Sequence, residues 1–262
     1  MMEDLGATST NLSTKSLRQV FFVGVASAVF YIWSSSIYHE QPNRLGFPFK
    51  SFDDFIEEID DETLKLIHKD FEQAQGQEFW INSTQEVENE SGIESLARRV
   101  YSFHCENRKN CGGEWWIQVR DNTEGGPRNN IQPLHWDKDE KRMMSGGLYK
   151  TPNFTSVTYL SDGGYPTFAL SVQIDDNGAL APIKASGKSL TSAYFGLPKF
   201  GRHITFDASL LHGVLYLPQY VSRTANKKRY VLVMSFWLDG YKPEGAIPMT
   251  QEYRERFSRL DY

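Results

Sequence analysis

Thr155-Ser156-Val157-Thr158-Tyr159-Leu160 is a β-branched and aromatic run, interrupted by the turn pair Gly163-Gly164 and resumed by Pro166-Thr167-Phe168-Ala169-Leu170-Ser171-Val172. Residues of these types fit a pleated, half-buried surface, and two such runs joined by a glycine turn read as successive strands. The pattern recurs downstream. Arg202-His203-Ile204-Thr205-Phe206-Asp207 leads through Ala208-Ser209 into Leu210-Leu211-His212-Gly213-Val214-Leu215, and Arg229 opens a long apolar strand ending at Leu238. Short strands alternating with turns predict a mainly β domain, a double-stranded β-helix or jelly roll of cupin-like type. Upstream, from about 49 to 110, the periodicity is helical. Asp61 to Ala74 spaces Leu64, Ile67 and Phe71 along one face, and Ser91-Gly92-Ile93-Glu94 matches a capping box before Ile93, Leu96, Ala97, Val100 and Tyr101. These flanking N-terminal helices are expected to support the sheet.

Ahead of the first strand run stands His135-Trp136-Asp137, and His212 follows roughly 75 residues later. Side chains two apart on an extended strand point the same way, so one strand end offers an imidazole and a carboxylate together. A second imidazole from a distant strand completes a two-histidine-one-carboxylate face suited to iron(II), with the opposite face open for co-substrate and O2. The alternatives are structural: His135 and Asp137 as a surface strand end before the charged Lys138 to Arg142 segment, and His212 as a hydrogen-bonded turn histidine, with His203 its rival. Trp115, Trp116 and Trp136 read either as pocket lining or as packing.

Taken together, these motifs resemble the iron(II)- and 2-oxoglutarate-dependent dioxygenase superfamily, particularly its prolyl-hydroxylase-like branch, over about 114 to 239. The family pattern is His-x-Asp, a distal His before Gly-Val, and a basic residue on the next core strand. Here it falls on His135, Asp137, His212 and Arg229. The resemblance implies that Arg229 grips the far carboxylate of 2-oxoglutarate and that Tyr159 contacts it, with ascorbate as reductant in turnover. Arg223 has the commoner spacing from the distal histidine, while Arg229, about 17 positions on, heads a credible strand. The implied chemistry is oxidation, by default hydroxylation, of a C–H bond in a peptide or protein side chain or a small molecule, releasing succinate and CO2. Oxidative cyclisation or desaturation of a natural product is the enzymatic alternative, and a non-catalytic jelly-roll binding protein the competing class.

The 262 residues carry a formal charge of −5 at neutral pH, which gives no basic footprint for nucleic acid. They are expected to divide into an N-terminal tail, 1–44, and a dioxygenase domain, 45–262, with a short polar helix at 250–260. Within the tail, Lys15 and Arg18 precede an uncharged stretch at about 20–38, which reads as a single-pass anchor with its N-terminus in the cytosol. A cleaved signal peptide and a buried helix are the alternatives. Sequons begin at Asn11, Asn82, Asn89 and Asn153, and the only cysteines, Cys105 and Cys111, are close enough to pair, with free thiols the alternative. These features place the domain in the secretory-pathway lumen, with a cytoplasmic address the alternative. The loop Gly125-Gly126-Pro127-Arg128-Asn129-Asn130 is expected near the mouth of the site.

Overall fold

A computed structural model describes residues 48–57, 59–85, 90–106, 108–121, 131–147, 149–174, 178, 192–216 and 228–259. In chain order they contain β1 (Phe49–Phe52), α1 (Asp61–Ala74), β2 (Glu78–Asn82), α2 (Gly92–Cys105), β3 (Gly112–Asp121), β4 (Gln132–His135), α3 (Glu140–Met144), β5 (Phe154–Tyr159), β6 (Thr167–Gln173), β7 (Ala193–Gly196), β8 (His203–Asp207), β9 (Leu210–Val214), β10 (Lys228–Trp237) and α4 (Gln251–Arg254). The strands form two antiparallel sheets, one in the order β1-β8-β5-β10-β3-β2 and one in the order β4-β9-β6-β7. The chain changes sheet between β5 and β6, at the glycine turn, and again between β8 and β9. There Asp207 Oδ1 accepts from the backbone N–H and hydroxyl of Ser209, closing the tight corner. The result is the expected jelly roll.

β10 is the central strand, buried along nearly its whole length. Tyr230, Leu232, Met234 and Phe236 point outward into a core with Ile67 and Phe71 of α1 and Ile93, Leu96 and Val100 of α2. Val231 and Val233, on the alternate face, meet Val157, Tyr159, Ala169, Ile204 and Phe206 between the sheets. Period-2 alternation on a strand covered on both sides explains why this stretch is apolar throughout.

Both anticipated helices form, with Asp60 capping α1 and Ser91 capping α2. The capping box closes on one side only. Ser91 accepts from the Glu94 N–H, but the Glu94 carboxylate is drawn away into a two-point pair with Arg254. The expected polar helix at 250–260 contracts to α4, four residues long, because the chain beyond it turns inward to bury Phe257 and to dock Ser258 on Asp70. The segment from 49 to 110 is not purely helical, since β1 and β2 extend the larger sheet at either edge. Cys105 and Cys111 are joined in a disulfide bridging the end of α2 and the start of β3. Among the described residues no helix is long and apolar enough to cross a membrane. The candidate anchor at 20–38, Asn11, Asn89, the 125–130 loop and Arg223 lie outside the described residues.

Candidate metal centre

β4 and β9 run side by side with His135 opposite His212, so strand pairing itself brings the two imidazoles together at 4.4 Å between ring centroids. Asp137, just past the end of β4, adds its carboxylate. One ligand-type atom from each of the three residues lies within 4.8 Å of the others. Asp137 Oδ1 is 3.3 Å from His212 Nε2 and 3.5 Å from His135 Nε2.

The second atoms of these groups are all engaged. His135 Nδ1 lies 2.8 Å from the Pro133 carbonyl and His212 Nδ1 lies 2.9 Å from the Leu210 carbonyl. Each ring thus donates from Nδ1 to a backbone oxygen two residues earlier, which leaves the Nε2 lone pairs turned toward Asp137. Thr155 donates to Asp137 Oδ2 at 2.5 Å and lies 3.2 Å from the Ser235 hydroxyl. Asp137 therefore keeps Oδ1 for the cluster. Burial works to raise its pKa, but the imidazoles of His212 and His135 outweigh that and hold the carboxyl well below the usual carboxylate range. Burial likewise opposes a proton on His135, and the hydrogen bond and charge of Asp137 overcome it to raise its pKa. The field that favours a proton there equally favours a divalent cation, so the donor set fits iron(II).

The cluster opens into a cavity between the sheets, lined also by Trp116, Gln118, Gln132, Thr155, Thr167 and Arg229. Arg229 is 1 % exposed. Its Nη2 donates to Thr167 Oγ1 at 2.8 Å, while Nε and Nη1 have no partner among the described residues. Buried N–H groups of a guanidinium are costly to leave unpaired, and a carboxylate is their natural complement. Burial accordingly lowers the pKa of Arg229. Tyr159 lies beneath the guanidinium, its ring centroid 5.3 Å from Cζ. It does not line the cavity: its hydroxyl donates to the Gly196 carbonyl at 2.8 Å and sits 2.8 Å from Thr167 Oγ1.

His203, the rival ligand, is elsewhere, 2.8 Å from His104 Nε2 on the helix-covered side of the larger sheet. Of the three tryptophans, Trp116 lines the cavity, Trp115 faces the opposite core against Phe79, and Trp136 donates to the Val172 carbonyl at 3.3 Å. Glu114 also lies toward this side; burial, then the charges of Glu78, Asp139 and Asp137, push its pKa up to about 8. Thr155, Thr167, Gln118 and Gln132 also belong to the site and carry no motif of their own. The signal was present in β3, where Gln118 and Arg120 follow Trp116 at period 2 on a strand otherwise rich in apolar residues.

Fold and site together define a jelly roll with a His-x-Asp…His cluster facing a buried arginine across one cavity. No protein-family model matches the sequence. No curated protein matches it either. Among solved structures, the chain is similar to a Pseudomonas putida prolyl-4-hydroxylase (15% identity, TM-score 0.39, 80% of this chain and 99% of that one). It is also similar to a viral collagen prolyl hydroxylase from Paramecium Bursaria Chlorella virus-1 (14%, 0.40, 77% and 96%) and to iron-bound HygX from Streptomyces hygroscopicus (11%, 0.38, 82% and 92%).

Proposed function

We propose that this chain is an iron(II)- and 2-oxoglutarate-dependent oxygenase that hydroxylates a C–H bond of a peptide side chain or small molecule. The observation that carries the reading is the shared cavity: three ligand-type side chains converge at one place, and the unpartnered N–H groups of Arg229 lie at another. In this reading His135, Asp137 and His212 hold the metal. Bound iron supplies the chemistry, coupling decarboxylation of 2-oxoglutarate to succinate and CO2 with dioxygen-dependent oxidation of the substrate.

The chain's own part is to bind and orient. Arg229 takes the far carboxylate of 2-oxoglutarate through its open N–H groups, and Thr167 beside it is held in place by Tyr159. Tyr159 therefore acts from beneath the arginine rather than on the carboxylate. Thr155 fixes the orientation of Asp137. Phe206 and Val233 keep that end of the cavity apolar, strengthening the charge-assisted bonds by excluding water. Arg229 is preferred to Arg223 because it lines the cavity.

The test is succinate formation from 2-oxoglutarate by the purified chain with iron(II) and ascorbate under air, against His135→Ala, Asp137→Ala and His212→Ala. Each single variant is expected to remain folded and lose turnover; full activity in any of them removes that residue from the ligand set. We further propose a lumenal address, supported by the uncharged stretch at 20–38 and the Cys105–Cys111 bridge. Glycosidase treatment should then shift the electrophoretic mobility of the expressed chain, and an unshifted, cytosolic product would overturn it.

A further inference from the structure

We infer that Arg120 is a positioning residue that couples occupation of the arginine end of the cavity to the seating of His135, an inference that rests on the function proposed above. Arg120 lies on β3 directly opposite Arg229 of β10 in the antiparallel register. Like charges facing each other across two strands are unfavourable, and neither arginine forms an ion pair with a carboxylate among the described residues. Burial, and then the charge of Arg229, lower the pKa of Arg120 to about 10.

Arg120 nevertheless reaches from the larger sheet to the start of β4. Its Nη1 donates to the Ile131 carbonyl at 3.3 Å and its Nη2 to Gln132 Oε1, while Nε is buried without a partner among the described residues. β4 needs that tether. Among the described residues it is an edge strand of the smaller sheet, paired only with β9, in a register that slips between Gln132 and His135, and Pro133 has no N–H to add. Three residues further along the same strand stands His135.

The two arginines thus repel each other through the group that holds a metal-ligand strand. A carboxylate drawn to the open N–H groups of Arg229 would offset the repulsion between the two cations and strengthen the hold that Arg120 already has on Ile131 and Gln132. Anion binding at one end of the cavity then favours metal binding at the other, and by linkage the metal favours the anion.

The experiment titrates manganese(II) into the full chain by calorimetry, with and without saturating glutarate, a five-carbon dicarboxylate with no keto oxygen. Wild type, Arg120→Gln and Arg120→Lys are compared after circular dichroism confirms that each is folded. Glutarate should tighten manganese binding to the wild type by about fivefold or more, at the lower end of ordinary coupling between sites. The enhancement should largely vanish in both variants, because Gln lacks the charge and Lys lacks the two-pronged tether. Any carboxylate–metal contact is common to all three proteins and cancels in the comparison. Equal enhancement in wild type and variants would overturn the inference alone. Full coupling in Arg120→Lys would equally overturn it, by removing the tether. Failure of the wild type to bind manganese would overturn the metal-site reading and the inference with it.

Discussion

At the residue scale, the cluster depends on groups that carry no metal themselves. Thr155 is buried, and its hydroxyl is the only described donor to Asp137 Oδ2. Thr155→Val keeps the volume and removes the donor, so metal affinity should fall by about 10- to 100-fold, as is typical when the partner of a ligand is lost. Thr155→Ser should restore most of it; calorimetry of manganese binding checks both. The same threonine completes the Asn153 sequon. Gly164 makes a similar point about the arginine. Its φ is +105° and a Cβ placed there would meet Arg229 Cβ at 2.5 Å. Gly164→Ala should therefore displace the guanidinium and raise the KM for 2-oxoglutarate roughly tenfold or more, since a charge-assisted bond is worth about 1.5–3 kcal/mol. An unchanged KM in that variant would show that Arg229 does not hold the co-substrate. The ligand residues were legible because side-chain type and period-2 spacing are local. The turn was legible from Gly163-Gly164, but the service Gly164 does for Arg229, 65 positions away, is tertiary and was not.

At the element scale, α2 meets the larger sheet through an aromatic and imidazole layer. His104 and His203 face each other at 2.8 Å, and His203 Nδ1 lies 2.7 Å from Thr158 Oγ1. Phe55, Phe103, Phe154 and Phe236 pack around the pair. Burial, helped by the charge of Arg108, lowers His104 to about 4, and burial drives His203 well below its usual range. A histidine depressed in the folded state binds more protons when unfolded, so its stabilising contribution is complete above about pH 6.5 and drains away as pH falls toward 4. For His104 alone the loss is about 3 kcal/mol, from a shift between 6.5 and about 4. Urea unfolding should show roughly 2 kcal/mol of that loss between pH 7 and pH 5, and His104→Gln, which keeps a hydrogen-bonding group without titrating, should flatten the dependence. A wild-type stability independent of pH over that interval would mean the pair does not titrate with folding. Both helices were legible from their 3.6-residue stripes, and α2 also from its cap. β1, β2 and β7 were not, because a four- or five-residue edge strand carries too few side chains to establish a period, and its place depends on a partner far along the chain.

At the scale of the whole domain, the carboxyl-terminal segment closes the helical side of the molecule. Asp70 of α1 accepts from the Ser258 N–H at 2.8 Å, Gly92 at the start of α2 donates to the Ser258 carbonyl, and Glu94 pairs with Arg254 at 2.6 and 2.8 Å. Met249 and Phe257 fill the core beneath. These contacts tie both helices to residues more than 150 positions away, which is why the half-open capping box and the shortened α4 could not be read locally. The Glu94–Arg254 pair is mostly buried, so removing one partner strands the other's charge. Arg254→Ala should cost roughly 2–4 kcal/mol in urea unfolding, somewhat less than a fully enclosed pair because the arginine retains some water. Replacing both residues with leucine should cost less than the single change, since no charge is then left buried. The cavity lies on the opposite face of the larger sheet from this clamp, so metal affinity in Arg254→Ala should match the wild type at temperatures where the variant is folded. A large loss of affinity there would mean that the helical layer sets the geometry of the β-strands that carry the site, and that support and site are one mechanical unit.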